Sequence, residues 1–182
     1  MIPTPPLGLR NRLAETILSA IGDPTARRAL EHPDDLAWVR DAAPEHVAVV
    51  RARARRASEA LAGCPPIAAD ASVERALVAA AVLFDAGLYF EVHELLEPHW
   101  VRSTGVERRA LQGLIQIAVG FQHWANGNRA GAQALLADGS RHLRGGRLSP
   151  LDLVAFADAV SDAASRVTQA SAAAVPLFPR VS

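Results

Sequence analysis

The sequence predicts an all-α fold, a helical bundle of seven to nine helices with a central antiparallel helix hairpin. First, residues that start and stop helices recur along the chain, as at Asp23-Pro24, where an N-cap residue precedes a proline. Second, the apolar residues between these signals follow a helical period, while strand patterns are nearly absent. Third, 50% of the residues are hydrophobic and only 5% are aromatic, so aliphatic side chains must form most of the core.

The start and stop signals set the order of the predicted helices. They cover 9–21, a short segment after Pro24, 33–42, 44–62, 71–86, 88–101, 104–125, 129–138 and 150–172, the last opened by Ser149-Pro150. Asp70 is the expected N-cap of the helix at 71–86, and Thr104 with Glu107 matches a capping box. Pro98 should kink its helix or end it early. The residues after 172 are expected to form a loose tail that can be removed at little cost.

The length of 182 residues fits one compact unit. Within it we distinguish an N-terminal helical segment (1–68), a core domain (69–148) and a C-terminal helix with a tail (149–182), with CPPIAAD at 64–70 as the linker. All basic residues are arginine, which indicates a GC-rich bacterial genome. The 19 Lys+Arg balance 19 Asp+Glu, which argues against nucleic acid or an anionic membrane as a partner.

Targeting and redox signals are absent from the sequence. The start of the chain lacks the pattern of a signal peptide, and the longest apolar run is too short to span a bilayer. Cys64 is the only cysteine, so the chain has neither an intrachain disulfide nor a thiolate metal cluster. A cytoplasmic protein is therefore expected.

The run RARARR at 51–56 looks like a basic patch, but a helical projection separates its members. At about 100° per residue, the apolar residues of this helix fall in one arc of roughly 80°. Arg51, Arg53, Arg55 and Arg56 fan around the remaining surface. We therefore expect a solvated helix face with scattered ion pairs instead of a phosphate-binding site.

The segment FDAGLYFEVHELLEPHW at 84–100 crowds ionisable residues into an otherwise apolar helix. Glu91, Glu94 and Glu97 form one acidic ridge, and His93 lies one turn before Glu97 at the edge of the apolar arc. Such a ridge is usually solvated. Phe90, however, projects among the carboxylates, which indicates that something packs over the ridge.

The next helix, RALQGLIQIAVGFQHWA, is apolar around most of its circumference. Its exceptions Gln112, Gln116 and His123 project within roughly 40° of one another. One interpretation is a narrow window to solvent. The other is a polar seam that faces His93 and Glu97 across a helix hairpin. On that hypothesis the candidate polar site contains Glu91, His93, Glu94, Glu97, Gln112, Gln116 and His123.

A divalent metal is the one cofactor for which the sequence offers ligands. Imidazole and carboxylate groups bind zinc, iron or manganese, so His93, Glu97 and His123 are a candidate metal set. HELLE is not the zinc-protease motif H-E-x-x-H, because Glu97 stands where that motif has its second histidine. The paired E-x-x-H motifs of di-iron bundles, the nucleotide-binding loops and the nucleophile elbow are all absent.

Three motifs resemble a bacterial and archaeal family catalogued as domain of unknown function 309. They are FDAGLYFEVHELLEPHW, ALQGLIQIAVGFQHW and GNRAGAQALLADGSRHL, which together cover about 76–144. The matching positions are Phe84, Gly87, Tyr89, Glu91, His93, Glu94, Glu97 and Trp100, then Gln112, Gly113, Leu114, Ile115 and Gln116, then Gly127, Asn128, Gly131 and Ala132. Asp85 replaces the usual asparagine. The resemblance implies an all-helical fold with no established activity.

Two classes of function remain open on these observations. In the first, the polar site binds a small ligand or a metal, and an enzymatic version would be a hydrolase with Glu94 or Glu97 as base and His93 as ligand or proton shuttle. In the second, the chain is a non-catalytic protein-interaction module in which the polar cluster is structural. The partner is accordingly an unidentified small molecule or protein.

Overall fold

The computed structural model describes residues 3–68, 71–167 and 174–180. Over these ranges the chain forms nine α-helices, one 3-10 turn and no β-strand, which confirms the predicted all-α class. The chain divides into two compact units, Met1–Glu91 and Val92–Ser182. The predicted segments 1–68, 69–148 and 149–182 stay a prediction. The Asp70 cap lies outside the described residues.

The first unit contains five complete helices. Their bounds are α1 Leu7–Gly22, α2 Pro24–Glu31, the 3-10 turn Pro33–Asp35, α3 Ala37–Arg40, α4 Pro44–Leu61 and α5 Val73–Asp85. Helices α1, α2 and α4 pack against one another, and α5 packs on α4. Their buried apolar residues include Leu13, Ile17, Leu30, Val50 and Ala54.

Polar groups fix the helix ends of the first unit. The Asp23 carboxylate accepts a hydrogen bond from the backbone N–H of Thr25 at 2.7 Å, which confirms the predicted N-cap of α2. The Arg27 guanidinium donates to the carbonyls of Ala20 and Ile21, at 2.7 and 3.1 Å, and to that of Leu61 at 3.1 Å. One cation therefore satisfies the C-terminal carbonyls of both α1 and α4.

Helix α6, Tyr89–Arg102, begins in the first unit and continues into the second. The second unit then contains α7 Gly105–Ala125, α8 Arg129–Gly145 and α9 Leu153–Val167. Helices α7 and α8 are antiparallel across the turn at Gly127, whose φ is 81°, and α8 also packs against α9. Helices α7 and α8 thus form a closely packed hairpin.

Glycine permits the close approach of α7 and α8. A Cβ at Gly139 would lie 2.8 Å from the carbonyl oxygen of Gly113, and a Cβ at Gly113 would lie 2.9 Å from that of Gly139. A Cβ at Gly120 would meet Leu136 at 2.9 Å. Gly139 is thus an interior residue of α8, which continues to Gly145, past the end predicted near 138.

The predicted tail is a packed element in the part that the structure describes. Phe178 is only 2% exposed, and its ring centroid lies 5.8 Å from that of Phe156 on α9. The neighbouring Leu177 is 71% exposed. The expectation of a loose tail is therefore wrong for Phe178, whose buried ring argues against removal at little cost.

Three predicted helix termini also differ in detail from those in the structure. Helix α9 is capped by Asp152, which accepts from the backbone N–H groups of Val154 and Ala155, and not by Ser149-Pro150. Glu107 accepts from the Ser103 hydroxyl at 2.5 Å instead of completing a capping box with Thr104. Finally, α6 continues past its internal proline, Pro98, to Arg102, so the proline does not end the helix early.

None of the helices in the described ranges combines the length and the apolar character needed to cross a lipid bilayer.

Candidate functional site

The last turn of α6 is held by Arg108 from the start of α7. Its Nη1 donates to the carbonyls of Trp100 and Val101, at 2.8 and 3.3 Å, and its guanidinium carbon lies 4.0 Å from the centroid of the Trp100 ring. A cation at a helix C-terminus stabilises the exposed carbonyls and the helix dipole. This contact fixes the helical turn that follows Glu97.

His93, Glu94 and Glu97 form a cluster on this helix. The His93 Nδ1 lies 3.1 Å from Glu94 Oε1, and the His93 Nε2 lies 3.8 Å from Glu97 Oε2. The side chains are 26%, 37% and 50% exposed, in the order His93, Glu94, Glu97. One potential ligand atom from each residue lies within 4.8 Å of the other two. The structure thus brings together three of the predicted site residues.

The chemical options of this cluster depend on whether the His93 imidazole is protonated. Each ring nitrogen faces a carboxylate, so a protonated imidazole can donate in both directions. A neutral imidazole can instead give a lone pair to a metal ion that the two carboxylates also bind. Because the three side chains are partly exposed, water can reach the remaining coordination positions of such an ion.

Glu91 belongs to the first unit and is buried there. It is 1% exposed, and its Oε2 accepts from Arg53 Nη2 at 2.7 Å, with Arg53 also 1% exposed. The solvated-face interpretation of the run at 51–56 is therefore wrong for Arg53, although Arg51 forms the expected surface ion pair with Asp34 at 2.7 Å. The free-energy cost of burying these two charged groups is reduced because the carboxylate and the guanidinium pair with each other.

Phe90 is covered, as its position among carboxylates indicated. The guanidinium carbon of Arg10, on α1, lies 4.0 Å from the Phe90 ring centroid. This cation–π contact lies entirely within the first unit.

Gln116 pairs with a histidine that the sequence interpretation did not include. Its Oε1 lies 2.7 Å from Nδ1 of His142 on α8, so the imidazole donates to the amide oxygen. Gln112 is half-buried one turn earlier on the same helix. Gln116 thus bonds across the α7–α8 hairpin, and its grouping with His93 and Glu97 stays a prediction.

His123 lies at the end of α7. Its Nδ1 accepts from the Asn128 amide at 2.8 Å, and Asn128 in turn caps α8 by accepting from the Gly131 N–H at 3.0 Å. These bonds give His123 a structural role at the α7–α8 turn. The cluster of potential metal ligands in the structure therefore contains Glu94, where the predicted set contained His123.

Two signals in the sequence could have located the missed residues. Arg53 projects only about 40° from Ala57 and so borders the apolar arc of its helix. Gln116 lies between Gly113 and Gly120, two glycines seven residues apart that mark the face of α7 packed on α8. His142 follows Gly139 by one helical turn on the facing side of α8.

Cys64 does not have the environment of a nucleophile. It is 4% exposed, and burial raises the pKa of its thiol, against the opposing effect of the Arg27 and Arg75 charges. A thiol held in the protonated form reacts poorly, because the thiolate is the reactive species. This side chain acts as a small apolar core residue.

Comparison with known proteins agrees with the motif resemblance. Residues 77–135 match the family model described as "Domain of unknown function (DUF309)". A stretch of 57 residues is 42% identical to the uncharacterized protein YpuF of Bacillus subtilis (strain 168), and it covers 31% of this chain and 33% of that protein. The chain thus spans a third of the length of the curated relative that it matches. No solved structure matches the chain.

Proposed function

We propose that this protein binds a divalent metal ion through His93, Glu94 and Glu97. The observation that supports the proposal is the convergence of three ligand atoms within 4.8 Å of one another on one stretch of α6. Two ligands bonded to one ion at about 2.1 Å lie no more than about 4.2 Å apart, so small side-chain rotations suffice to close the set.

The ligand types favour zinc, manganese or iron. An imidazole with two carboxylates suits these ions better than calcium, which prefers all-oxygen sites. Because the three ligands come from a single stretch of helix, they would occupy one side of the ion. The open side would hold water, and a bound divalent ion acidifies such a water and makes it a nucleophile near neutral pH. Hydrolysis is therefore the reaction class that we propose for an active site built here.

A second candidate is a protein-interaction module in which the cluster is an ion-pair network. Val101 and Val106 favour it, because they are 61% and 56% exposed on either side of the α6–α7 turn in the second unit. In this case His93 would be the protonated partner of both carboxylates, and metal ions would have no specific effect.

Calorimetric titration of metal-free protein with Zn²⁺ and Mn²⁺ separates the two candidates. The metal-binding proposal predicts a one-to-one isotherm. His93→Ala and Glu94→Gln should each weaken binding by at least about 100-fold, since loss of even outer-sphere partners costs 10–100-fold. Binding should also weaken as the pH is lowered, because protons compete with a metal ion for its ligands.

Matched controls test whether the effect is local. His32→Ala removes an exposed histidine of the first unit, and Glu15→Gln removes an exposed carboxylate of α1; both variants should bind as the parent does. His123→Ala should also leave the affinity unchanged, because its imidazole bonds to Asn128. Absence of heat in the parent protein, or equal binding by His93→Ala, would favour the interaction module instead.

A further inference from the structure

The connection between α8 and α9 forms a cleft of about 440 Å³ in the second unit. This volume lies within the range of roughly 300–1,000 Å³ found for small-molecule sites. Pro150, Leu151 and Val154 line its apolar part, and Val154 is 54% exposed. Arg144 and Arg147 line its basic part. The cleft therefore combines an apolar wall with two guanidinium groups.

Backbone hydrogen bonds hold the connection in place. The N–H of Arg147 donates to the carbonyl of Val106 on α7 at 3.1 Å, and that of Leu151 donates to Leu148 at 2.8 Å. Leu148 and Leu153 are buried beneath the connection, at 5% and 4% exposure. A ligand would thus meet a wall that is already formed, which lowers the entropic cost of binding.

The two arginines differ in their partners. Arg144 donates from Nε and Nη2 to the Asp158 carboxylate, at 3.1 and 2.8 Å, and from Nη2 to the Ser161 hydroxyl at 3.1 Å. Arg147 is exposed, and its guanidinium has no ion pair or hydrogen bond to any residue that the structure describes. Its donors are available to an anion that enters the cleft.

We infer that this cleft binds a small monocarboxylate that carries a short hydrocarbon group. The carboxylate fits the fork of donors on Arg147, and the hydrocarbon fits against Leu151 and Val154. The Asp158 carboxylate pairs with Arg144 and so offsets one of the two guanidinium charges, which disfavours dianions such as phosphate. Apolar burial and one charge-assisted contact together define the ligand class.

Amide chemical shifts of isotope-labelled protein, followed during titration with hexanoate, test the inference. The expected shifts fall on residues 146–154. Hexanol, which lacks the charge, and acetate, which lacks the chain, should each bind at least about tenfold more weakly, as should phosphate. Arg147→Ala and Val154→Asp should each weaken hexanoate binding by about tenfold. Arg129→Ala, which removes an exposed arginine from the other end of α8, should leave it unchanged.

The same spectra show whether each variant remains folded, since the amide signals of α7 and α9 report on the intact unit. Equal binding of hexanol and hexanoate would overturn the inference, as would undiminished binding by Arg147→Ala. Absence of chemical-shift changes at about 10 mM hexanoate would also overturn the inference, because this concentration exceeds the millimolar dissociation constants of weak complexes.

Discussion

Arg53 is a charged side chain at the apolar centre of the first unit, where it pairs with Glu91 at 2.7 Å. Its position could be read from the helical projection, because it borders the arc of Val50, Ala54 and Ala57. Its partner could not, since the pair joins residues 38 positions apart. Local periodicity shows which face is buried, but only tertiary packing selects the group that it meets.

Breaking this pair from one side should strongly destabilise the protein. Glu91→Ala leaves the Arg53 charge buried without its carboxylate, and we expect a loss of about 3–5 kcal/mol in the free energy of unfolding. The double variant Arg53→Met/Glu91→Leu replaces the pair with apolar side chains of similar size and should recover most of that loss. Urea unfolding measures both values. A double variant as unstable as the single one would contradict this account.

Tyr89, the single tyrosine of the chain, should titrate late. Burial raises its pKa to about 12, with Asp85 adding to the rise and Arg56 opposing it. Because the folded chain holds this proton more tightly than the unfolded chain does, the contribution to stability is complete below about pH 10 and is lost as the pH rises toward 12. Tyrosinate absorbance should show a midpoint near 12 in native protein and near 10 in denaturant. A native midpoint near 10 would mean that the ring is solvated.

At the scale of elements, a helix terminus can be predicted where the residues that set it are adjacent in the sequence. Asp23 and Pro24 act locally, and the structure contains the predicted cap. The sequence predicts the end of α8 near 138, which leaves Gly139 outside the helix, yet it is an interior residue of α8 whose missing side chain lets Gly113 approach. In a sequence, a glycine can mark either the end of a helix or an interior position where two helices approach closely. Only the neighbouring helix decides between these two roles.

A side chain at Gly139 should therefore weaken the α7–α8 contact. Gly139→Ala gains about 1 kcal/mol in helix propensity but places a Cβ 2.8 Å from a backbone oxygen, at a cost of about 1–3 kcal/mol or more. We expect net destabilisation in thermal unfolding. Gly8→Ala in α1 is the matched control, because no atom lies within 4 Å of its Cβ position, and it should be neutral or stabilising. Equal effects of both variants would contradict the close packing.

The segment after α9 should contribute to stability through one ring. Phe178→Ala removes the contact with Phe156, and we expect a loss of about 3–5 kcal/mol. Leu177→Ala, at a side chain that is 71% exposed, should stay within about 0.5 kcal/mol of the parent. Denaturant midpoints compare the two directly. Similar small effects for both would show that the ring does not fill a core position in solution.

At the scale of the whole molecule, the all-α class followed from the helical period and the scarcity of strand patterns. The cluster of His93, Glu94 and Glu97 was within reach of the sequence, because the geometry of one helix sets the spacing of its side chains. Gln116 and His123 were grouped with it only through an assumed register between helices. Their observed partners, His142 and Asn128, come from the packing and connection of α7 and α8.

Anomalous diffraction from crystals grown with zinc tests the central claim, a metal site at His93, Glu94 and Glu97, most directly. Data collected on both sides of the zinc absorption edge should give a peak about 2.0–2.2 Å from a ring nitrogen of His93 and from carboxylate oxygens of Glu94 and Glu97. Glu94→Gln crystals prepared in the same way should lose that peak. Zinc peaks elsewhere on the surface, with none within about 3 Å of the His93 ring, would contradict the account.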